Sequence, residues 1–237
     1  SKQNLKVVLI EKYGFCGGGA VAGLSGTICG MYEASDKIKN TPSQAVFGFA
    51  DNFSEVLEKK GGLTEPVAYG KTFTRVHDPL VWKDTADYFL QDKNITTIYH
   101  AIVTKALVEG DNKVEGVQVW SKQGTFNIKS KITIDASGDA DVIAMAGLPN
   151  FIGDKGKVQN PTMIFKISGV DIEIFKKTYG LNSIMPQEVT DLIVKMNKDN
   201  KYKLPRAKIW LFPTTKPNEL LCNCTRIIGE DGRELNS

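Results

Sequence analysis

An acidic residue directly after a hydrophobic run is the first feature of this sequence that suggests chemistry. Residues 5–10, Leu-Lys-Val-Val-Leu-Ile, are mostly apolar and partly β-branched. This pattern is typical of a parallel-sheet strand that is buried on both faces. Glu11 follows at once. In dinucleotide-binding βαβ units, a carboxylate at the end of the second strand accepts hydrogen bonds from the adenosine ribose. Glu11 is therefore a candidate ribose ligand, and the alternative is a strand end without a ligand.

A dense cluster of glycines follows Glu11. Without a Cβ atom, backbone N–H groups can approach an anion or a polyol closely. A flexible loop is the alternative, but such loops are usually polar, whereas this segment continues as Ala20-Val21-Ala22. We therefore expect it to pack against a flat or bulky group. Seven of the 22 glycines belong to the cluster: Gly14, Gly17, Gly18, Gly19, Gly23, Gly26 and Gly30.

A second candidate ligand site is the sequence Ile134-Asp-Ala-Ser-Gly-Asp139. A strand that turns through small residues into a helix N-terminus is a natural place for an anion or another ligand. Ser137 or Asp139 can also cap that helix. Plain capping is thus the alternative role for these residues.

No residue is identified as catalytic. His77 and His100 are the two histidines. His100 lies in a strand-like run, which favours a structural role, whereas His77 precedes a helix and suits a pocket, a cap or the surface. Arg206 and Arg226 would suit an anionic substrate. Nothing in their spacing selects among these side chains.

The four cysteines indicate neither a disulfide scaffold nor a metal site. They are too sparse for such a scaffold. Cys222 and Cys224 would share one face of a strand, and burial is favoured over zinc because a second matched pair is missing. Cys16 lies among the glycines, where a packed thiol is favoured over a redox-active one. Reduced cysteines suggest a cytoplasmic location.

The elements that would position these residues alternate between strand and helix patterns. Residues 94–100 have strand character. Three further runs, 102–109, 114–120 and 125–129, are joined by turn sequences and predict an antiparallel meander. Residues 131–136 predict one more strand, which leads into the small-residue turn.

Helix signals are clear at several points. Asp78-Pro79 places Asp at the N-cap and Pro at the first helical position. Further elements are predicted as follows: a helix at 52–60 stopped by Gly61-Gly62, a short helix near 142–145, strands at 163–167, 208–212 and 219–228, and a helix opened by Pro186.

Composition restricts the class of protein. The chain has 237 residues, of which 41% are hydrophobic and 24% charged, and its net charge is +3. These values exclude disorder, collagen and coiled coil. The charge balance gives no reason to expect nucleic acid or an anionic membrane as a partner. No apolar run reaches the roughly 18 residues of a membrane span.

Taken in this order, the features resemble the FAD-dependent oxidoreductases of the glutathione-reductase-like fold. Residues 7–18 resemble the end of the second strand and the following glycine loop. Residues 132–139 resemble the "ATG" motif, with Ser137 in place of Thr. The chain is most similar to the FAD-dependent oxidoreductase family distantly related to fumarate reductase flavoproteins, which residues 160–163 and 223–226 also resemble.

The resemblance implies an α/β fold. It would contain part of a Rossmann-like FAD/NAD(P)-binding parallel sheet, an antiparallel β-meander and an α+β substrate (cap) domain. The implied division is a first part of the FAD domain at 1–35, an insertion towards the substrate domain at 36–77, the FAD domain with its meander at 78–150, and the substrate domain at 151–237.

The resemblance also implies site residues and an activity. FAD would be the cofactor, and hydride would pass between its isoalloxazine ring and a small organic substrate. A homo-oligomer is left open. The implied contacts are Glu11 to the adenosine ribose, Lys12 beside the adenine, Gly17 and Gly18 along the pyrophosphate and ribityl chain, Val103 to the adenine edge through its backbone, and Ala136, Ser137 and Gly138 near the AMP and pyrophosphate.

One expected motif is missing. The phosphate-binding G-x-G-x-x-G should precede the acid by about 20 residues, and Glu11 leaves no room for it. The sequence therefore predicts an internal piece of a longer enzyme that by itself binds FAD weakly or not at all. The alternative is a flavin-free nucleotide-binding or interaction fragment without activity. An NAD(P)-binding domain is less favoured, because the meander belongs to the flavoprotein pattern.

Overall fold

The computed structural model describes residues 4–36, 41–110, 113–180, 184–199 and 203–233. The strands are β1 (Val7–Ile10), β2 (Thr27–Ile28), β3 (Val67–Tyr69), β4 (Thr72–Val76), β5 (Ile95–Ile98), β6 (Ile102–Glu109), β7 (Lys113–Ser121), β8 (Gly124–Lys129), β9 (Ile164–Ser168), β10 (Trp210–Pro213) and β11 (Glu219–Asn223). The helices are α1 (Gly18–Val21), α2 (Phe49–Lys59), α3 (Pro79–Leu90), α4 (Asp141–Met145), α5 (Ile172–Tyr179) and α6 (Gln187–Lys198).

The chain forms two compact units, each built from two separate stretches of sequence. The first unit contains residues 1–18 and 86–158, and the second contains residues 19–85 and 159–237. The division into four segments expected from the sequence stays a prediction.

The first unit combines a parallel strand pair with an antiparallel meander. β1 pairs in parallel with β5, from Val7 opposite Ile95 to Ile10 opposite Ile98. β6, β7 and β8 form a three-stranded sheet in sequence order. The α/β class and the meander are thus confirmed. The core of this unit is built on Ala101, Val117 and Val119, with Ile10, Ile98, Val103, Phe126, Ile128 and Val142 packed around them.

Two predictions for the first unit are wrong. Residues 131–136 form no strand, and Ile132 and Ile134 are 79% and 83% exposed. β-branched residues form a stable strand only where another strand supplies hydrogen-bond partners, and no other described strand pairs with this segment. β1 is also not buried on both faces, because Val7 and Val8 are 39% and 46% exposed. Within the described sheets, β1 pairs with β5 alone.

The second unit contains two small antiparallel sheets, in the orders β2-β4-β3 and β10-β11-β9. Val76, Ile184, Phe212 and Leu221 form one buried cluster, and Ile172, Phe175, Leu220 and Cys222 form another. The predicted strand at 219–228 ends already at Asn223. No strand or helix was predicted at β2, β3, β4 or α5. The eight-residue α5 is fixed by Asp171, whose carboxylate accepts the Ile174 N–H at 2.9 Å.

Helix termini in the second unit follow the sequence signals. The Asp78 carboxylate accepts hydrogen bonds from the N–H groups of Leu80 and Val81, at 2.7 and 3.2 Å. α2 ends where the N–H groups of Gly61 and Gly62 bond back to its last carbonyls. No helix in the described part of the chain is long and apolar enough to cross a membrane.

Candidate functional site

Glu11 is held at the end of the parallel strand pair. Its N–H donates to the Ile98 carbonyl at 2.9 Å, and its own carbonyl accepts the Ala101 N–H at 3.1 Å. One carboxylate oxygen, Oε1, accepts the Tyr13 N–H at 2.8 Å. Among the described residues, Oε2 has no hydrogen-bond partner. This oxygen therefore remains able to accept hydrogen bonds from hydroxyl groups of a ligand.

Aromatic rings order the chain after Glu11. The Lys12 ammonium lies 5.2 Å from the centre of the Tyr13 ring. The Tyr13 and Phe15 rings stack with their centres 5.3 Å apart and their planes within 6° of parallel. The Tyr13 carbonyl accepts the His100 N–H at 3.1 Å. The start of the glycine cluster is thus tied to the loop between β5 and β6.

Gly17 and Gly18 have backbone conformations that favour glycine, with φ of 132° and 43°. A Cβ atom placed on Gly18 would have no neighbour within 4 Å. The backbone of Gly18 is therefore open to the approach of another molecule.

The turn at 135–138 is organised by Asp135, a residue that the sequence analysis did not select. Its Oδ1 accepts the N–H and the hydroxyl of Ser137 at 3.0 and 2.7 Å, and its Oδ2 accepts the Ile143 N–H at 3.0 Å. The Ser137 hydroxyl oxygen in turn accepts the Asp141 N–H at 3.0 Å. Ser137 thus binds the first N–H of α4, whose N-cap position is Ala140, whereas Asp139 makes no hydrogen bond to a described residue.

These contacts keep Asp135 ionised and leave the turn accessible. Desolvation alone would raise the pKa of Asp135, but the hydrogen bonds from Ser137, Ile143 and Val142 outweigh it and lower the pKa. Gly138 adopts φ 91° with no atom near the position of a Cβ. Ala136, Ser137 and Gly138 are exposed.

One hydrophobic core joins the segments that carry the candidate residues. Ile10 precedes Glu11, Val142 follows Asp141, and Val103 is itself a candidate. All three pack against the cluster of Ala101, Val117 and Val119. The end of β1 and the starts of β6 and α4 therefore pack on the same hydrophobic core.

Cys16 belongs to a short polar chain in the same unit. Its thiol donates to the Tyr99 hydroxyl at 3.8 Å, and that hydroxyl donates to the Asp87 carboxylate at 2.9 Å. Burial raises the pKa of Cys16, and the hydrogen bond with Tyr99 only partly opposes this. A protonated, partly buried thiol fits the packing interpretation better than a reactive one.

The two histidines have different environments. His77 is 2% exposed, and neither ring nitrogen has a hydrogen-bond partner among the described residues. Its ring lies 4.5 Å from that of Trp82, and burial lowers the pKa of His77 to about 4. His100 is exposed, with φ 53°. His77 is therefore a neutral, buried group rather than a surface residue or a cap.

A cavity of about 230 Å³ lies in the second unit between α2 and β4. Tyr32, Gln44, Asp51, Glu58 and Arg75 are among its lining residues. The Arg75 guanidinium pairs with the Glu58 carboxylate at 2.9 Å, so the positive charge of Arg75 is already compensated. No group of three His, Cys, Asp or Glu side chains arranged for a metal ion is found in the described ranges.

The candidate residues of the first unit offer groups of the kind that nucleotide binding uses. They provide an acceptor oxygen on Glu11 for ribose hydroxyls, and open glycine backbones at Gly18 and Gly138. Such groups provide binding and orientation, whereas the redox chemistry belongs to the cofactor.

Comparisons with known proteins give the family of the chain. The family model described as FAD dependent oxidoreductase matches residues 1–236. No curated protein matches the chain. Seven chains of solved structures match, among them the crystal structure of Thermovibrio ammonificans THI4, with 17% sequence identity and a TM-score of 0.40. That match covers 61% of this chain and 53% of the other, so the chain spans about half the length of that structure. Because the family model covers almost every residue, the chain belongs to the FAD-dependent oxidoreductase family, whose cofactor is FAD.

Proposed function

We propose that the protein transfers hydride between bound FAD and a small organic substrate. The observation that carries this proposal is the carboxylate of Glu11. It follows the parallel strand pair and keeps one oxygen without a partner among the described residues. When bound, FAD accepts or gives the hydride at its isoalloxazine ring. The residues of the first unit bind and orient its other parts.

Each candidate residue has a role that its position supports. Glu11 would accept hydrogen bonds from the ribose hydroxyls through its unpartnered oxygen. Lys12, beside the Tyr13 ring, would lie along the adenine. Gly17 and Gly18 would bring the backbone close to the pyrophosphate and the ribityl chain, because glycine has no side chain to keep a ligand away.

Two further segments would complete the cofactor contacts. Val103 lies on β6, which is an edge strand of the described meander. The backbone N–H and C=O groups on the unpaired side of β6 can bond to the adenine edge. Ala136, Ser137 and Gly138 would pack against the AMP and pyrophosphate part, and the Asp135 hydrogen bonds hold that turn in shape.

We also propose a cytoplasmic location. All four cysteines are free of disulfides, and such reduced thiols are typical of the cytoplasm.

The test compares FAD with FMN, which lacks the adenosine part. The chain is titrated with each flavin, and quenching of flavin fluorescence gives the two dissociation constants. Loss of a hydrogen bond to a charged group weakens binding by about tenfold or more. Glu11→Ala should therefore raise the Kd for FAD by about tenfold and leave the Kd for FMN unchanged.

The matched control is Glu109→Ala, which removes an exposed carboxylate paired with Lys113 and should change neither constant. An unchanged Kd for FAD in Glu11→Ala would contradict the proposed site. If the wild-type chain binds AMP but no flavin, the flavin-free nucleotide-binding alternative replaces the proposal.

A further inference from the structure

Two arginines of the second unit approach each other at one end of a β-hairpin. β10 and β11 pair in antiparallel fashion, with Trp210 opposite Asn223. Arg206 lies four residues before Trp210, and Arg226 lies three residues after Asn223. Because the start of one strand adjoins the end of the other, both arginines extend from the same end of the hairpin.

Arg206 is fixed by neutral groups alone. Its Nη1 donates to the Asn223 side-chain oxygen at 2.9 Å. The centre of the guanidinium lies 4.0 Å from the centre of the Trp210 ring. Neither contact supplies a negative charge. The guanidinium is therefore held in place while its charge stays uncompensated by any described carboxylate.

Arg226 is held by the main chain on both sides. The preceding Thr225 hydroxyl donates to the Met163 carbonyl at 2.9 Å and accepts the Met163 N–H at 2.8 Å. The following Ile227 donates its N–H to the Pro161 carbonyl at 2.9 Å. The Nε atom of Arg226 is buried and has no hydrogen-bond partner in the described part of the chain. A buried donor without an acceptor lowers stability, so this position favours an acceptor from a ligand.

The other two arginines of the chain are different. Arg75 pairs with Glu58, and Arg233 pairs with Asp231. Arg206 and Arg226 make no ion pair with any described acid. Desolvation and then the nearby charge of Arg226 lower the pKa of Arg206. The two positive charges are thus close enough to influence each other, and Arg206 also lies on the Trp210 ring.

We propose that Arg206 and Arg226 together bind the carboxylate of a small organic acid. Guanidinium groups are planar and donate parallel hydrogen bonds that match a carboxylate. Trp210 and the nearby Tyr69 ring, 6.3 Å apart between centres, offer an apolar surface for the carbon part of such an acid. The role of this acid as the substrate rests on the proposed function, whereas its binding does not.

The first experiment measures binding by isothermal titration calorimetry of the chain without flavin. The probes are benzoate and acetate, with inorganic phosphate and chloride for comparison. Benzoate should bind most tightly, because it adds an aromatic ring to the carboxylate. Arg206→Gln and Arg226→Gln should each weaken benzoate binding by about tenfold or more. Arg233→Gln removes the same charge from a residue that is paired with Asp231. This variant should bind benzoate with the affinity of the wild type.

A further variant leaves Arg226 intact, because substitution of this partly buried residue can disturb folding. Arg206→Lys keeps the charge and loses the planar fork, so it should bind benzoate with an affinity between those of the wild type and Arg206→Gln. Equal losses in Arg206→Gln and Arg233→Gln would overturn the proposal, because they would indicate an effect of net charge alone. Phosphate or chloride binding as tightly as benzoate would also overturn it.

The same variants separate this inference from the proposed function. Arg206→Gln should leave the Kd for FAD unchanged, since Arg206 is not among the candidate FAD residues. Carboxylate binding without FAD binding would refute the proposed function and leave the anion site standing. FAD binding without carboxylate binding would refute only the anion site.

Discussion

The imidazole of His100 occupies the space that a side chain at position 14 would need. A Cβ atom built on Gly14 would lie 2.8 Å from both Cε1 and Nε2 of His100. The His100 N–H is bonded to the neighbouring Tyr13 carbonyl, which limits how far the histidine can move away. Glycine at position 14 thus allows the loop before β6 to pack directly on the glycine cluster.

Gly14→Ala should destabilise the protein by about 1 kcal/mol, the cost of turning the exposed His100 ring away from its present rotamer. Urea unfolding monitored by circular dichroism measures this change. His100→Asn should relieve most of it in the double variant, because Asn tolerates the left-handed backbone of His100 and is smaller. Gly19→Ala is the matched control, since its Cβ would meet no atom within 4 Å. Equal losses in the free energy of unfolding for Gly14→Ala and Gly19→Ala would disprove the steric explanation.

Asp135→Ala should lower the free energy of unfolding by about 1–2 kcal/mol, as the loss of a helix-capping carboxylate usually does. The carboxylate accepts three hydrogen bonds within the turn and from α4. Because these bonds lower its pKa in the folded state, its contribution is present above the unfolded pKa and is lost as the pH falls through the folded pKa. Asp139→Ala removes a neighbouring acid without such bonds and should cost little. Chemical denaturation at neutral and acidic pH tests both variants, and a pH-independent difference between them would contradict the explanation.

His77 should make the protein less stable in mild acid. Its pKa is lowered from 6.5 to about 4 in the folded protein. The unfolded chain therefore binds a proton below about pH 6.5 that the folded chain does not bind until about pH 4. The free energy of unfolding should fall over this range by about 3 kcal/mol, and the His77 contribution should be constant above pH 7.

His77→Phe keeps a ring against Trp82 and removes the titrating group. Urea unfolding between pH 4.5 and 7 should therefore show a weaker pH dependence for this variant than for the wild type. His100→Asn changes the exposed histidine and serves as control. Identical pH profiles for the wild type and His77→Phe would show that His77 does not titrate as the structure indicates.

Local signals in the sequence were sufficient for elements that are stabilised locally. Asp78 and Pro79 predicted the start of α3, because capping and a fixed φ act within one turn of the helix. The turn sequences at 110–113 and 121–124 predicted the meander; residues 111 and 112 lie outside the described residues. Asp171 is a cap of the same kind, but the helix after it is too short for a clear apolar repeat.

Features that depend on distant partners could not be predicted in this way. Residues 131–136 have the composition of a strand, yet composition does not supply a neighbouring strand. The proximity of Arg206 and Arg226 depends on the pairing of β10 with β11, which no local pattern defines. The burial of His77 likewise depends on Trp82 and on the packing of β4. The roles of Glu11, Lys12, Gly17, Gly18, Val103, Ala136, Ser137 and Gly138 in binding FAD stay predictions.

The pairing of β1 with β5 has a consequence for synthesis on the ribosome. Val7 pairs with Ile95, and the chain between these strands belongs mostly to the other unit. At about 5–20 residues per second, β1 emerges several seconds before its partner exists. During that interval the apolar residues Val7, Val8 and Leu9 are without their partner strand β5. Neither unit can fold to completion before much of the other has been made, so the nascent chain depends on protection from aggregation until the later stretches arrive.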